Sequence, residues 1–300
     1  MTARRPRTGL LGSGLLGNGL LGYGLLAPSL FGVVCFLLLP MLVVAWLSLQ
    51  RWDLLGPIRF VGLENWRSVL TDADFGNSLL VTLGFIAIVV PVQILLGLGA
   101  AALLARGLPG TGLFRTLYVI PWICSPLAVA VLWRWILAPT DGAVSTLLGR
   151  RIEWLSDPTL ALPVVSAVTV WTNVGYVALF FLAGILAIPP QIHAAAATDG
   201  ATGWQRFWRI TLPMLRPTFF FVSVTGIVSA AQVFDTVYAL TGGGPAGRTD
   251  LVAHRIYAEA FGAAAIGRAA VMALVLFAIL VGVTIVQHLY FRRRISYDVV

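Results

Sequence analysis

The sequence predicts an all-α integral membrane protein with six spanning helices. Hydrophobic residues make up 59% of its 300 residues, charged residues only 11%, and the mean hydropathy is +0.91. An ordinary soluble domain is roughly 25% charged. Six uncharged windows are each long enough to supply the ~20 residues that cross a bilayer as a helix. These windows are residues 8–50, 75–105, 116–133, 159–198, 217–234 and 269–291.

The predicted elements follow one another with short connections. The loops are under thirty residues long, too short to bury a core of their own. We expect a leader at residues 1–22, a six-helix domain at residues 23–291 and a basic tail at residues 292–300. The six helices are predicted at residues 23–49, 77–105, 116–137, 161–188, 217–240 and 269–291.

The arginines indicate the orientation of the chain. Six helices put both termini on one side, which would hold eleven arginines and two aspartates, a net charge of +9. The other side would hold eight arginines and nine acidic residues, a net charge of −1. By the positive-inside rule, the basic side with both termini is cytoplasmic. This topology accounts for the overall charge of +8 without a nucleic-acid partner.

The amino-terminal segment repeats a five-residue unit. Residues 9–28 read GLLGS, GLLGN, GLLGY and GLLAP, a period that fits neither a heptad nor a strand. Glycine in every unit weakens a helix, so we expect a disordered or interface-lying cytoplasmic leader. Arginines precede the apolar run as in a signal peptide, but the run reaches Gln50 without a small-residue cleavage site. A retained first helix is therefore predicted.

The residue pattern argues against several chemistries. The three histidines fall in separate segments, and Cys35 and Cys124 lie in different predicted helices, where we expect them to pack. No metal site, disulfide framework or hydrolase motif is predicted. Residues 242–249, GGGPAGRT, approach a phosphate-loop pattern with Arg248 at the lysine position, but they follow a membrane helix instead of a strand. We expect no catalytic residue and no cofactor bound by this chain.

The segment at residues 189–217 interrupts the apolar windows. Pro189 and Pro190 stop the fourth helix and favour a new start. Residues 191–197 are alanine-rich and helix-forming, and Gly200 ends this short helix. Its small side chains would let another protein approach closely.

A second short helix is predicted after this turn. Trp204, Phe207 and Trp208 recur at i, i+3 and i+4, which gives an apolar stripe suited to a membrane interface. Arg206 and Arg209 would face water or lipid headgroups. A docking surface and an ordinary interfacial loop both fit these residues.

The same segment resembles the EAA loop of bacterial ABC importer permeases, whose pattern is E-A-A, three residues, G, nine residues and I-x-L-P. Ala194 stands where the family has glutamate. The matching residues are Ala195, Ala196, Gly200, Ile210, Leu212 and Pro213. Three further stretches in order, FVGLENWRSVL, VLWRWIL and VFDTVYALTGGGP, are similar to permeases that import maltose-type sugars and glycerol 3-phosphate.

This resemblance implies a type I ABC importer permease fold and a multi-subunit assembly in the bacterial cytoplasmic (inner) membrane. A second, homologous permease would complete the passage, two ATPase subunits would bind ATP and Mg²⁺ beneath it, and an extracytoplasmic solute-binding protein would deliver the solute. Because Ala194 replaces the glutamate, docking is expected to depend on shape, backbone groups, His193 and Asp199. The residues implied in ATPase coupling are Gln191, His193, Ala194, Ala195, Ala196, Asp199, Gly200 and Ala201.

Two charged residues lie inside predicted helices. Arg134 and Asp235 each follow the preceding cytoplasmic arginine by 19 residues, which is about 28 Å along a straight helix. Both would then lie near the outer edge of the ~30 Å bilayer core, where they pair, line the mouth of the passage or reach water. Asn173, Tyr176 and Gln232 are further candidates for the passage, with helix–helix hydrogen bonding as the alternative.

The resemblance implies transport of a sugar, a glycerol phosphate or a glycerophosphodiester. The basic ending FRRRISYDVV is similar to glycerol-phosphate permeases, although topology also demands a basic tail. An autonomous secondary transporter or channel, and a membrane enzyme acting on lipids, are the competing hypotheses.

Overall fold

The computed structural model describes residues 25–107 and 109–292. The predicted leader at residues 1–22 and the predicted tail beyond residue 292 lie outside the described residues. Two short strands, β1 (Gln50–Arg51) and β2 (Arg59–Phe60), pair antiparallel. The helices are α1 (Leu25–Leu47), α2 (Glu64–Leu70), α3 (Ala73–Leu104), α4 (Thr111–Ile123), α5 (Pro126–Ile136), α6 (Ala143–Leu148), α7 (Ala161–Leu186), α8 (Pro190–Thr198), α9 (Gly203–Met214), α10 (Arg216–Ala231), α11 (Asp235–Leu240), α12 (Val252–Tyr257) and α13 (Ile266–Arg292).

Four of these helices, α1, α3, α7 and α13, are long and apolar enough to cross a membrane. The number rises to six if the bent pairs α4–α5 and α9–α10 each count as one span. The two ends of the bundle differ: one carries the β1–β2 hairpin, and the other carries α8 and α9. We call them the hairpin end and the α8 end.

Helix α3 lies at the centre of the bundle. Its buried residues belong to three apolar clusters: Phe85 packs with α7 and α10, Phe75 with α13, and Leu104 with α7 near the α8 end. Helix α1 buries none of its most apolar window, so lipid is its expected surrounding. The helices that α3 contacts therefore form a scaffold, with α1 at its periphery against α13.

The prediction of one continuous third helix at residues 116–137 is wrong. Helices α4 and α5 meet at 97°, and Ser125 between them is extended, with φ −56° and ψ 126°. Pro126 explains the break, because proline lacks a backbone N–H and disfavours the helical conformation of the preceding residue. Cys124, which we expected to pack inside a span, is exposed at this bend.

The fifth predicted helix, residues 217–240, is also interrupted. Helix α10 ends at Ala231 and α11 begins at Asp235, with neither proline nor glycine between them. The amides of Gln232 and Val233 close the last turn on the carbonyls of Ser229 and Ala230. The break therefore follows from tertiary packing and not from a local breaker.

Two glycines set how closely α7 approaches its neighbours. A Cβ at Gly175 would overlap the carbonyl of Tyr118 in α4, and one at Gly97 in α3 would lie 2.5 Å from a methyl group of Val177. Small residues at membrane-helix contacts let backbones come together in this way.

Ion pairs at the hairpin end join distant parts of the chain. Arg268 at the start of α13 donates to Asp72 at 2.6 Å and also to Glu259 and Ser68. Asp72 caps α3 by accepting from the amide of Asp74 at 2.9 Å. Burial opposes ionisation of Asp72, but the Asp74 amide and the Arg268 guanidinium outweigh it and hold the pKa of this carboxyl below its ordinary value.

Candidate functional site: a projecting helix and an interhelical cavity

Helix α8 begins and ends as its residues predict. Pro190 occupies its first position, and Pro189 before it is extended, with φ −56° and ψ 127°. At the other end Gly200 has φ +79°, a left-handed conformation that favours glycine. The amide of Ala201 donates to the carbonyl of Ala196 at 2.9 Å and that of Gly200 to Ala197 at 3.1 Å, which is a Schellman ending.

The two faces of α8 differ in exposure. Ala194, Ala195 and Asp199 are exposed, as are Gln191 and Gly200 on the same segment. Ile192, His193 and Ala196 are half-buried, while Ala201 is half-buried just beyond the turn. A side chain at position 194 therefore projects away from the bundle, whereas His193 faces back toward it.

Helix α9 carries the aromatic stripe. Thr202 and Gln205 form a capping box at its start, with bonds of 2.9 and 3.3 Å. The rings of Trp204 and Trp208 lie edge to face, 5.4 Å between centroids, and are 70% and 49% exposed. Exposed indoles on a short helix next to a bundle of apolar helices are typical of a membrane–water interface.

A cavity of about 350 Å³ lies among α3, α7 and α10, beside the α4–α5 bend. It extends to the break between α10 and α11. Four of the five residues predicted for the passage line it: Asn173, Tyr176, Gln232 and Asp235.

The cavity also contains polar residues that the sequence analysis missed. Helix α7 presents Thr169 and Thr172 with Asn173 and Tyr176, which repeat at helical spacing on one face. This polar stripe within an otherwise apolar helix could have identified Thr169 and Thr172 from the sequence. The remaining polar members are Gln93, Thr225, Ser229 and Thr236.

Hydroxyl, amide and aromatic groups determine the chemistry of this cavity. The amide nitrogen of Asn173 donates to the carbonyl of Thr169 at 2.9 Å, which leaves the side-chain oxygen available to a solute. Trp122 stacks on Tyr176 at 4.9 Å. Asp235 is the charged residue among its described lining, which includes no arginine or histidine. Such a surface suits a solute with several hydroxyl groups.

Arg134 does not line the cavity. It lies on α5, is exposed, and its Nη1 donates to the carbonyl of Ala239 in α11 at 3.5 Å. No ion pair joins it to Asp235 in the described part of the chain. The predicted common depth of about 28 Å is also wrong, because it assumed straight helices. The path from Arg115 to Arg134 contains the 97° bend, and the path from Arg216 to Asp235 contains the break after Ala231.

The fold and the site together define a class. Apolar helices that span a bilayer, a polar cavity among them and a projecting helix at one end are the parts of a membrane transport subunit.

A family described as "Binding-protein-dependent transport system inner membrane component" matches residues 93–296. The chain belongs to this family, which confirms the resemblance found in the sequence. Two relatives are similar over much of their length. The sn-glycerol-3-phosphate transport system permease protein UgpA of Agrobacterium fabrum is 35% identical over 275 residues, which cover 90% of this chain and 94% of the relative. The trehalose/maltose transport system permease protein MalF of Thermococcus litoralis is 35% identical over 227 residues, 74% of this chain and 77% of the relative.

Solved structures show the same fold. A chain of a bacterial alginate ABC transporter, solved in complex with an alginate pentasaccharide-bound periplasmic protein, aligns with a TM-score of 0.79 at 23% identity. The alignment covers 93% of this chain and 96% of that chain. A chain of an amino acid ABC transporter aligns less closely, with a TM-score of 0.54 at 16% identity.

Proposed function

We propose that this chain is one of two homologous permease subunits of an ATP-driven importer, with six spans and both termini in the cytoplasm. In this assembly α8 contacts an ATPase subunit, and an extracytoplasmic binding protein delivers solute to the hairpin end. ATP and Mg²⁺ are bound by the two ATPase subunits, so this chain contributes no catalytic residue. The exposed α8 face, with Ala194, Ala195 and Asp199, carries this proposal.

Helix α7 supports the proposed coupling between α8 and the cavity. It presents Asn173 and Tyr176 to the cavity and reaches α8 after only three further residues, Ala187, Ile188 and Pro189. The thirteen residue-to-residue steps from Asn173 to Leu186 span about 20 Å of helix. A displacement of α8 by the ATPase would therefore move one wall of the cavity.

The cavity favours a small polyhydroxylated solute. The solutes in the names of two relatives, glycerol 3-phosphate and trehalose or maltose, also carry several hydroxyl groups. Because the described lining has hydroxyl, amide and aromatic groups but no cation, we propose a neutral sugar as the substrate. A glycerol phosphate would require the second permease to supply the cation that pairs with its phosphate.

Reconstitution tests this function. The chain is co-expressed with a candidate second permease, an ATPase and a binding protein from the same organism, and the complex is purified and inserted into liposomes. Uptake of labelled sugar and of labelled glycerol 3-phosphate is then followed. We expect a stable complex whose uptake requires both ATP and the binding protein. Uptake by the isolated chain would instead support an autonomous transporter, and turnover of lipid would support an enzyme. Calorimetry of the binding protein with each solute decides between sugar and phosphate ester.

A further inference from the structure

A second pocket, of about 460 Å³, opens at the α8 end. It lies between the end of α3, the inner face of α8 and the start of α9. Its polar lining includes Arg106, His193 and Arg206, and its apolar wall includes Ile185, Trp204 and Phe207. We call it the basic pocket. It is separate from the cavity among α3, α7 and α10, with which it shares no lining residue.

The charge of the basic pocket is unbalanced. No acidic side chain is among its described lining residues. The side chains of Arg106 and Arg206 form no hydrogen bond or ion pair within residues 25–107 and 109–292. The Nε atom of Arg206 is buried and has no hydrogen-bond partner. Since a buried donor without an acceptor costs free energy, an anion in this pocket would be stabilised.

The surroundings of the pocket indicate an amphipathic anion. Arg106 follows the apolar helix α3 by two residues, a position expected at the membrane–water boundary. Trp204, with its exposed indole, lies two residues before Arg206 and lines the same pocket. A ligand held here would have its charge against the guanidinium groups and its apolar part along the aromatic wall.

We propose that the basic pocket binds the phosphate-containing headgroup of an anionic phospholipid. Arg106 and Arg206 supply the N–H donors for the phosphate oxygens, an arrangement that guanidinium groups favour. Trp204, Phe207 and Ile185 contact the glycerol and the upper acyl chain. Basic pockets between membrane helices bind lipid headgroups by this combination.

The orientation of α8 favours a lipid over a protein as the occupant. His193 lines the basic pocket from the half-buried face of α8, while Ala194 and Ala195 are exposed on another face. A partner protein that contacts the exposed face of α8 would leave the pocket on its inner face unoccupied. A bound lipid would thus support α8 from within the bundle.

Native mass spectrometry of the full-length chain in detergent tests this site. Retention of phosphatidylglycerol is compared with that of phosphatidylcholine, which carries the same phosphate without net negative charge. We expect preferential retention of phosphatidylglycerol, reduced about fivefold by Arg106→Gln and about fivefold by Arg206→Gln. Arg209→Gln is the matched control, since Arg209 lies on the same helix, is exposed and does not line the pocket. Arg206→Lys, which keeps the charge, is expected to restore part of the retention, and circular dichroism of each variant reports on folding.

Four results would overturn the proposal. One is equal retention of both lipids by the wild-type chain. Another is loss of phosphatidylglycerol in Arg209→Gln as large as in Arg206→Gln. The third is retention of neither lipid together with binding of inorganic phosphate at millimolar concentration, which would make the pocket a site for free phosphate. If Arg206→Gln weakens co-purification of the ATPase while lipid retention is unchanged, the pocket is a protein contact and the lipid site is rejected. The lipid-retention readouts need neither transport nor the ATPase, so their failure is distinguishable from failure of the proposed function.

Discussion

Gly200 sets the direction of the chain after α8 through its left-handed backbone. A Cβ at this position would meet no atom within 4 Å, so the constraint is conformational and not steric crowding. We expect Gly200→Ala to lower the free energy of unfolding by about 1 kcal/mol, measured by chemical denaturation of the purified chain. Gly200→Asn is the matched variant, because asparagine tolerates this conformation better. Equal effects of the two substitutions would contradict a conformational origin.

A substitution at Ala195, on the exposed face of α8, tests the proposed contact with the ATPase. We expect Ala195→Trp to abolish ATP-dependent uptake, because the bulky ring prevents close approach of the ATPase. Delivery of solute by the binding protein should be unaffected. The measurement is uptake by the reconstituted complex, together with the amount of ATPase that co-purifies.

Leu42→Trp provides the control for this substitution. Leu42 is 70% exposed on α1, the helix expected to face lipid, and the same ring there should leave uptake unchanged. Wild-type uptake by Ala195→Trp would show that α8 is not the ATPase contact.

At the level of residues, sequence reasoning was strongest where the chemistry is local. Proline before a helix, glycine after it and small residues between them predict α8 closely. The direction of His193 was not predictable, because it depends on the packing of α8 and α9 near the end of α3. The implied role of His193 in ATPase docking stays a prediction, and its place in the basic pocket gives it a competing one.

The contact between α4 and α7 depends on Gly175. We expect Gly175→Ala to destabilise the purified chain by about 2 kcal/mol, because the methyl group would force apart two backbones. Gly99→Ala is the matched control, since a Cβ at this α3 position meets nothing within 4 Å and alanine favours the helix. Denaturant titration measures both changes. A Gly175→Ala chain as stable as Gly99→Ala would show that the close approach does not constrain the fold.

Asp72 joins two elements at the hairpin end. A carboxyl whose pKa is lowered by folding stabilises the protein fully above its unfolded pKa, near 3.8, and loses this contribution as pH falls through the folded value. We expect Asp72→Asn to lower the free energy of unfolding by about 2 kcal/mol at neutral pH, with the difference from wild type shrinking below about pH 4.

Unfolding at several pH values checks this expectation. Asp141→Asn removes an exposed carboxylate that has no hydrogen bond among the described residues and serves as the control. A difference between wild type and Asp72→Asn that grows as pH falls would contradict the sign of the linkage.

The elements themselves divide into those that hydropathy predicts and those that packing creates. The spans α3, α7 and α13 were predicted because they are long and apolar. Pro126 breaks the predicted third helix and could have been recognised as a helix breaker. The prediction relied instead on the uncharged window that contains it. The interruption at residues 232–234 had no such signal, since it forms where the chain turns along the cavity.

At the scale of the whole molecule, the cavity brings together residues far apart in sequence. Gln93 on α3, Asn173 on α7 and Gln232 after α10 line one space of about 350 Å³. Hydropathy marked Asn173 and Gln232 as candidates because polar groups in apolar helices are costly. Arg134 was a candidate because it is a charged residue inside a predicted span, and its expected depth assumed a straight helix.

Asn173 gives the most direct test of this cavity. Asn173→Leu keeps the branching at Cγ but removes the amide oxygen available to solute. The loss of one hydrogen bond predicts about a tenfold fall in uptake at low solute concentration. Assembly with the ATPase should be unchanged, because α8 is about 20 Å away along α7.

Thr284→Val is the matched control for the loss of a helix-internal hydrogen bond. Thr284 donates to the carbonyl of Leu280 at 2.8 Å in α13, much as Asn173 donates to Thr169, but it does not line the cavity. If both variants reduced uptake equally, the effect of Asn173→Leu would reflect helix stability. A selective loss in Asn173→Leu with ATPase binding intact places the solute among α3, α7 and α10, because only there does the leucine replace a group that the solute would contact.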